Sequence, residues 1–175
     1  MIDFQTCFNR VERHIETRYG MPVSISDVQD PNTGDFDGMC IKIDYDLELD
    51  LGFYVLLHLF GHSVQWNLSA EFRELGQDQT IPKPPEEMER IRIYELDATR
   101  YALELCREAK LEPLDEIDRW VSDWFHADYK FLETFYTTGE RLDPRKLIDP
   151  GKGELLTPLA IPEFKPQRWT SRWSF

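Results

Sequence analysis

The hydrophobic pattern along the chain predicts several helices. Apolar residues recur at helical spacing over residues 3–19, and Gly20 predicts where that helix ends. The same spacing runs over residues 86–110 and again over residues 113–139. Each of these segments is amphipathic, so each is expected to bury one face and expose the other.

Strands are predicted between the first of these helices and residue 49. Val23, Ile25 and Val28 form one short apolar pattern, and apolar and polar residues alternate over residues 39–44. Residues 30–38, DPNTGDFDG, predict a turn by their composition. Together these elements predict an α+β fold, in which a small, mainly antiparallel or mixed sheet packs on a helical core.

One stretch stands out by its apolar content. Residues 49–68, LDLGFYVLLHLFGHSVQWNL, are apolar almost all round, which is typical of a helix buried in a core. His58 and His62 interrupt this run. Residues four apart lie on one helix face with Cβ atoms about 5–6 Å apart, so the two imidazoles can converge on one metal ion. Burying two polar rings is costly unless each has a partner.

One acidic residue falls on the apolar stripe of the helix predicted over residues 86–110. Glu95 lies on this stripe between Ile91 and Ala98. Two histidines and one carboxylate form zinc sites of the catalytic type, in which one coordination position stays open. The predicted ligands of a Zn²⁺ ion are therefore His58, His62 and Glu95.

Two motifs resemble those of a known family. The segment His58-Leu-Phe-Gly-His62, preceded by FYVLL, resembles the HExxH helix of the zincin metallopeptidases. Residues 95–102, ELDATRYA, resemble the ExxA segment of the ImmA/IrrE-type branch, and the preceding order of helix and strands is similar. The resemblance covers roughly residues 1–110. It implies a zincin-like fold, with a metallopeptidase-type domain over residues 1–142 that holds Zn²⁺.

The sequence departs from the HExxH pattern at its second position. In HExxH proteins a glutamate there moves the protons of the reaction, but this chain has Leu59. General acid–base catalysis contributes about 10²–10⁴-fold to a rate, so its loss impairs or abolishes peptidase activity. The first hypothesis is therefore a pseudoenzyme: a zinc-binding, metallopeptidase-like protein that binds a peptide or protein ligand.

Two alternatives remain open from the sequence. One is an active metal-dependent hydrolase with a relocated base, for which the candidates by proximity in sequence are Glu48, Asp50, Glu71, Tyr94 and Tyr101. The other is a metal-free interaction or structural protein on a zincin frame. In that case the imidazoles are neutral and hydrogen-bonded, and Glu95 takes part in a buried salt bridge.

Composition narrows the expected partners. A chain of 175 residues is about one domain. Its net charge of -13 disfavours binding to nucleic acid and to anionic membranes. The first ten residues lack the basic start and apolar run of a signal peptide, so a cytoplasmic protein is expected. The cysteines fit neither a disulfide framework nor a zinc ribbon; they are Cys7, Cys40 and Cys106.

The character of the chain changes at residue 143. Residues 143–175 are punctuated by prolines and carry several aromatic side chains. This tail has six basic and four acidic residues, whereas the rest of the chain has 14 basic and 29 acidic residues. Because the two parts have complementary charge, the tail is predicted to pack on the domain.

Overall fold

The helices form most of the chain in this computed structural model, which describes residues 1–29, 32–78, 80–169 and the backbone of residues 173–174. The α-helices are α1 (Phe4–His14), α2 (Leu49–Leu68), α3 (Ala70–Gln77), α4 (Pro85–Glu108) and α5 (Leu114–Thr138). A π-helical turn, Ile15–Tyr19, continues α1, and Gly20 ends it in the left-handed conformation with φ of 67°. A 3₁₀ turn at Pro144–Leu147 follows α5.

A small mixed sheet lies against the helices. Its strands are β1 (Val23–Ser26), β2 (Gly34–Phe36), β3 (Ile41–Asp44) and β4 (Trp173–Ser174). They lie in the order β1-β3-β2-β4; β1 is parallel to β3, and β2 is antiparallel to both β3 and β4. The predicted α+β class is therefore confirmed.

One prediction about this region is wrong in detail. The segment 30–38 was predicted to be a turn, but it contains β2; Asp30 and Pro31 lie outside the described residues. The glycine in this segment suggests a turn, but Gly34 is needed in β2 because α2 packs closely on it. An added Cβ at Gly34 would lie 2.7 Å from Cδ1 of Leu59. In β1, Val23 is buried but Ile25 is 59% exposed, because α2 packs mainly on β2 and β3.

Helix α2 is the centre of the core. Its residues are buried continuously from Gly52 to Trp66, and α4 is its main neighbour. The two helices touch at Gly61, where an added Cβ would lie 2.6 Å from the backbone carbonyl carbon of Ala98 and would overlap its oxygen. This close approach brings the backbones of α2 and α4 together next to the two histidines of α2.

The tail crosses the surface of the domain, and its residues 154–169 do so without regular secondary structure. The backbone N–H of Leu159 donates to the carbonyl of Arg100 at 3.1 Å, and that of Trp169 donates to the carbonyl of Asp37 at 2.9 Å. The guanidinium of Arg73 lies 3.6 Å from the centre of the Trp169 ring. Side chains of the tail that pack against the core include those of Leu156, Leu159, Ile161, Phe164 and Trp169.

The described helices are not of the kind that crosses a membrane. Among the residues that the structure describes, none of the helices combines the length and the apolar character that a span requires. Helix α2 has 20 residues, and its apolar surface packs against the sheet and α4.

Candidate metal centre

Three polar side chains meet inside the core. Helix α2 supplies His58 and His62, one turn apart, and α4 supplies Glu95. The Nε2 atoms of the two imidazoles are 2.9 Å apart. Oε2 of Glu95 lies 3.1 Å from Nε2 of His62 and 3.5 Å from Nε2 of His58. The exposed fractions of the three residues are 3%, 2% and 8%, so the group is nearly sealed from solvent.

The spacing of these atoms suits a metal ion. Zinc bonds to imidazole nitrogen and carboxylate oxygen are about 2.0–2.2 Å long, which in a tetrahedral site places neighbouring donors about 3.3 Å apart. The observed separations of 2.9, 3.1 and 3.5 Å lie around that value. Two imidazoles and a carboxylate converging on one point need either a shared proton or a cation. The buried group of His58, His62 and Glu95 can therefore hold a metal ion.

Gln65 fixes the tautomer of one imidazole. Its Nε2 donates to the backbone carbonyl of Tyr94 at 2.7 Å, so its Oε1 faces the ring of His62. That oxygen lies 2.9 Å from Nδ1 of His62 and accepts its proton. Nε2 of His62 is then left with its lone pair, directed at Glu95 and His58. A neutral imidazole with Nε2 unprotonated is the form that binds a metal.

Replacing Gln65 is expected to weaken zinc binding. In Gln65→Leu, His62 loses its acceptor, and outer-shell changes of this kind reduce metal affinity by about 10–100-fold. The measurement is competition for zinc against a chromophoric chelator. Ser63→Ala is the matched control, because Ser63 is buried in the same helix but donates to the carbonyl of Leu59. Equal zinc affinity in the two variants would contradict the role given to Gln65.

Burial keeps the other imidazole neutral. The pKa of His58 is lowered well below its usual value, first by burial and then by the repulsion between two protonated imidazoles that lie this close together. A ring with such a pKa is neutral at pH 7. One of its nitrogens carries a proton, and the other is available as a ligand.

A second buried carboxylate lies beside the three residues. Asp128 projects from α5, accepts a hydrogen bond of 2.9 Å from the hydroxyl of Tyr54, and has Oδ2 3.9 Å from Nδ1 of His58. Burial, and after it the charge of Glu95, raises the pKa of Asp128 to about 7. The sequence analysis did not predict Asp128 as a site residue, although the pattern that indicates Glu95 is also present at Asp128. It is an acidic residue on an apolar stripe, four residues from both Trp124 and Leu132.

Three acidic residues considered as relocated bases have partners elsewhere. Glu48 and Asp50 pair with Arg145 at 3.1 and 3.3 Å at the start of α2. Asp50 lies eight residues before His58, which is about 12 Å along a helix axis. Glu71 pairs with Arg90 at 2.9 Å, and both side chains are exposed.

The two tyrosines considered as bases are buried and pack in the core. The hydroxyl of Tyr94 accepts a hydrogen bond of 3.0 Å from Nε1 of Trp66, and its ring stacks on His62 with centroids 4.4 Å apart. Tyr101 is buried in the main hydrophobic cluster. Burial, with the charge of a neighbouring carboxylate, raises the pKa of both phenols, so neither ionises readily.

Comparison with known proteins identifies no family for this chain. No family model, no curated protein and no solved structure matches it.

Proposed function

We propose that this chain is a zinc-binding protein of the zincin metallopeptidase type, close to the ImmA/IrrE branch, that has lost peptidase activity. The observation that carries the proposal is the convergence of His58, His62 and Glu95, with donor atoms no more than 3.5 Å apart. The zincin-like fold is part of the proposal. It is supported by the order of helix, small sheet and histidine-bearing helix, followed by the helix with the glutamate.

The ligands suit zinc by their chemistry. Two neutral imidazoles and one carboxylate bind zinc well, and three protein ligands are the number found where zinc acts as a Lewis acid. The contribution of the chain is to hold the two rings one turn apart on α2 and to bring Glu95 against them from α4. Gln65 keeps Nε2 of His62 unprotonated through its hydrogen bond to Nδ1.

The residue at position 59 supports the loss of peptidase activity. Leu59 stands where HExxH proteins have their glutamate, and its side chain is fully buried. It packs over Gly34 of β2, where only a residue without a Cβ fits beneath it. A leucine here contributes to the core and takes no part in proton transfer. The burial of all three ligand residues also leaves little room for a peptide at the ion, so we propose that the protein acts through binding.

Metal content tests the proposed centre directly. Protein supplemented with zinc and then freed of excess ion is expected to retain about one zinc per chain. Cobalt in its place is expected to give the visible absorption of a tetrahedral site. His126→Ala is the control, since that histidine bonds to the carbonyl of Glu154 and should leave the zinc content unchanged. Less than about 0.2 zinc per chain in the wild type would contradict a centre of useful affinity.

A peptide-library digest tests the loss of activity separately. The zinc-loaded wild type is expected to cleave no peptide, because the chain lacks a proton-transferring group at position 59. Cleavage that disappears both with a chelator and in His58→Ala would show a working hydrolase. That result would support the proposed metal centre but contradict the proposed loss of peptidase activity.

Restoring glutamate at position 59 is expected to damage the fold. Leu59→Glu places a carboxylate in the core against β2, which costs about 3–5 kcal/mol when no partner compensates the charge. Leu59→Met is the control, because a swap that conserves volume costs less than about 1.5 kcal/mol. Urea unfolding measures both variants. A Leu59→Glu protein as stable as the control, with zinc-dependent peptidase activity, would contradict the packing role given to Leu59.

A further inference from the structure

We infer that the carboxylate of Asp128 is the positioning group of His58, which it holds with Nδ1 toward α5 and Nε2 toward Glu95 and His62. This inference rests on the proposed metal centre and adds a residue from a third helix to it. Asp128 is a positioning residue and not a ligand, because it faces the ring nitrogen on the far side from the three converging donor atoms.

The distances around the ring of His58 carry this assignment. On one side, Nε2 lies 2.9 Å from Nε2 of His62 and 3.5 Å from Oε2 of Glu95. On the other side, Nδ1 lies 3.9 Å from Oδ2 of Asp128, which is longer than a hydrogen bond but makes this carboxylate a close neighbour of the ring nitrogen. A carboxylate on that side attracts the Nδ1 proton and so favours the tautomer whose Nε2 carries a lone pair.

Asp128 is itself held in place by a contact between α2 and α5. The hydroxyl of Tyr54 donates to Oδ2 of Asp128 at 2.9 Å, and the ring of Tyr54 stacks on Trp124 with centroids 4.6 Å apart. Tyr54 and His58 are four residues apart on α2, as Trp124 and Asp128 are on α5. Two pairs at one-turn spacing therefore face each other across the interface of the two helices, and all four residues are buried.

The two imidazoles then have matching supports. His62 has the amide oxygen of Gln65 at its Nδ1, and His58 has the carboxylate of Asp128. The second support carries a negative charge when Asp128 is ionised, and that charge offsets the charge of a buried cation. A divalent cation bound beside Glu95 alone would leave a net charge of one positive unit in the core. The carboxylate of Asp128 would bring the net charge of the ion and the two carboxylates to zero.

The alternative is that Asp128 serves only the packing of α5 on α2 through Tyr54. Asp128→Asn separates the two roles, because asparagine keeps the shape and can still accept from the hydroxyl of Tyr54 but carries no charge. The control is Asp123→Asn, which makes the same change on the same helix at similar burial. Asp123 accepts from the backbone N–H of Gly151 at 3.0 Å and so faces the tail.

Zinc affinity of the full chain is measured by chelator competition at constant pH, with apo-protein stability measured alongside. Asp128→Asn is expected to weaken zinc binding by about 10–100-fold and to change the spectrum of the cobalt-loaded protein. Asp123→Asn is expected to match the wild type in both. Tyr54→Phe keeps the ring on Trp124 but loses the hydroxyl, and it is expected to weaken zinc binding less than Asp128→Asn does.

Three results would overturn the assignment. If the wild type binds zinc and Asp128→Asn binds it equally well, Asp128 is only a packing residue and the metal centre stands. If Asp128→Asn fails to fold, Asp128→Ser, which also removes the charge, takes its place, and unchanged zinc affinity in that variant leads to the same conclusion. If the wild type itself binds no zinc, this inference and the proposed function both fall.

Discussion

Zinc is expected to raise the thermal unfolding midpoint of the wild-type protein by roughly 8–16 °C, when free zinc is about a thousand times its dissociation constant. An ion that binds only the folded state at that excess adds about 4 kcal/mol to the free energy of unfolding. In a chain of this size each kcal/mol moves the midpoint by about 2–4 °C. The ion is expected to favour the folded state because His58, His62 and Glu95 converge only when α2 and α4 are packed together.

His62→Ala is expected to abolish this zinc-dependent increase. The variant removes the ligand that lies within 3.1 Å of both other donor atoms. The midpoint is compared with and without zinc for each protein, so that any loss of packing in the apo form cancels. His126→Ala, which changes a histidine bonded to the tail, is expected to keep the full increase. An equal zinc effect in the two variants would place the ion elsewhere.

Adding a single methyl group at Gly61 is expected to lower the free energy of unfolding by about 2 kcal/mol or more. Alanine is the better helix former by about 1 kcal/mol, but its Cβ would lie 2.6 Å from the backbone carbonyl carbon of Ala98. Backbone atoms cannot turn aside as a flexible side chain does, so α2 and α4 must separate. That separation also moves Glu95 away from the histidines, so zinc affinity is expected to fall together with stability.

Gly52→Ala is the matched control, on the same helix and with the same change. Its added Cβ would have its nearest neighbours, atoms of Ile43 and Leu47, at 3.8 Å, which is ordinary contact. This variant is expected to be more stable than the wild type by about 0.5–1 kcal/mol, through helix propensity. Urea unfolding curves measure both variants. Similar stability changes in Gly61→Ala and Gly52→Ala would contradict the close contact between α2 and α4.

Local patterns in the sequence were enough to suggest where the three candidate ligands would meet. His58 and His62 are one turn apart, and Glu95 interrupts an otherwise apolar stripe, so both signals lie within single helices. Gln65 could have been found in the same way, because it lies three residues after His62 on the same helix. It was missed because a glutamine carries no metal-binding signal by itself.

Asp128 and β2 were harder to find for a different reason. The relation of Asp128 to His58 depends on how α5 packs on α2, across 70 positions of chain, and no local spacing encodes that contact. Strand β2 has the composition of a turn, and it forms because α2 packs on Gly34 and Phe36 is buried. In both cases tertiary packing decides the outcome over local propensity.

Deep burial of the donor groups also governs how fast an ion can enter or leave. With its donors this enclosed, an ion is expected to pass when α4 or α5 opens transiently from α2, a local opening that takes microseconds to seconds or longer. Exchange is then limited by the opening rate and is independent of how much chelator is present. With the proposed centre filled, the protein is expected to retain its ion through brief changes in supply and not to report the free concentration from moment to moment.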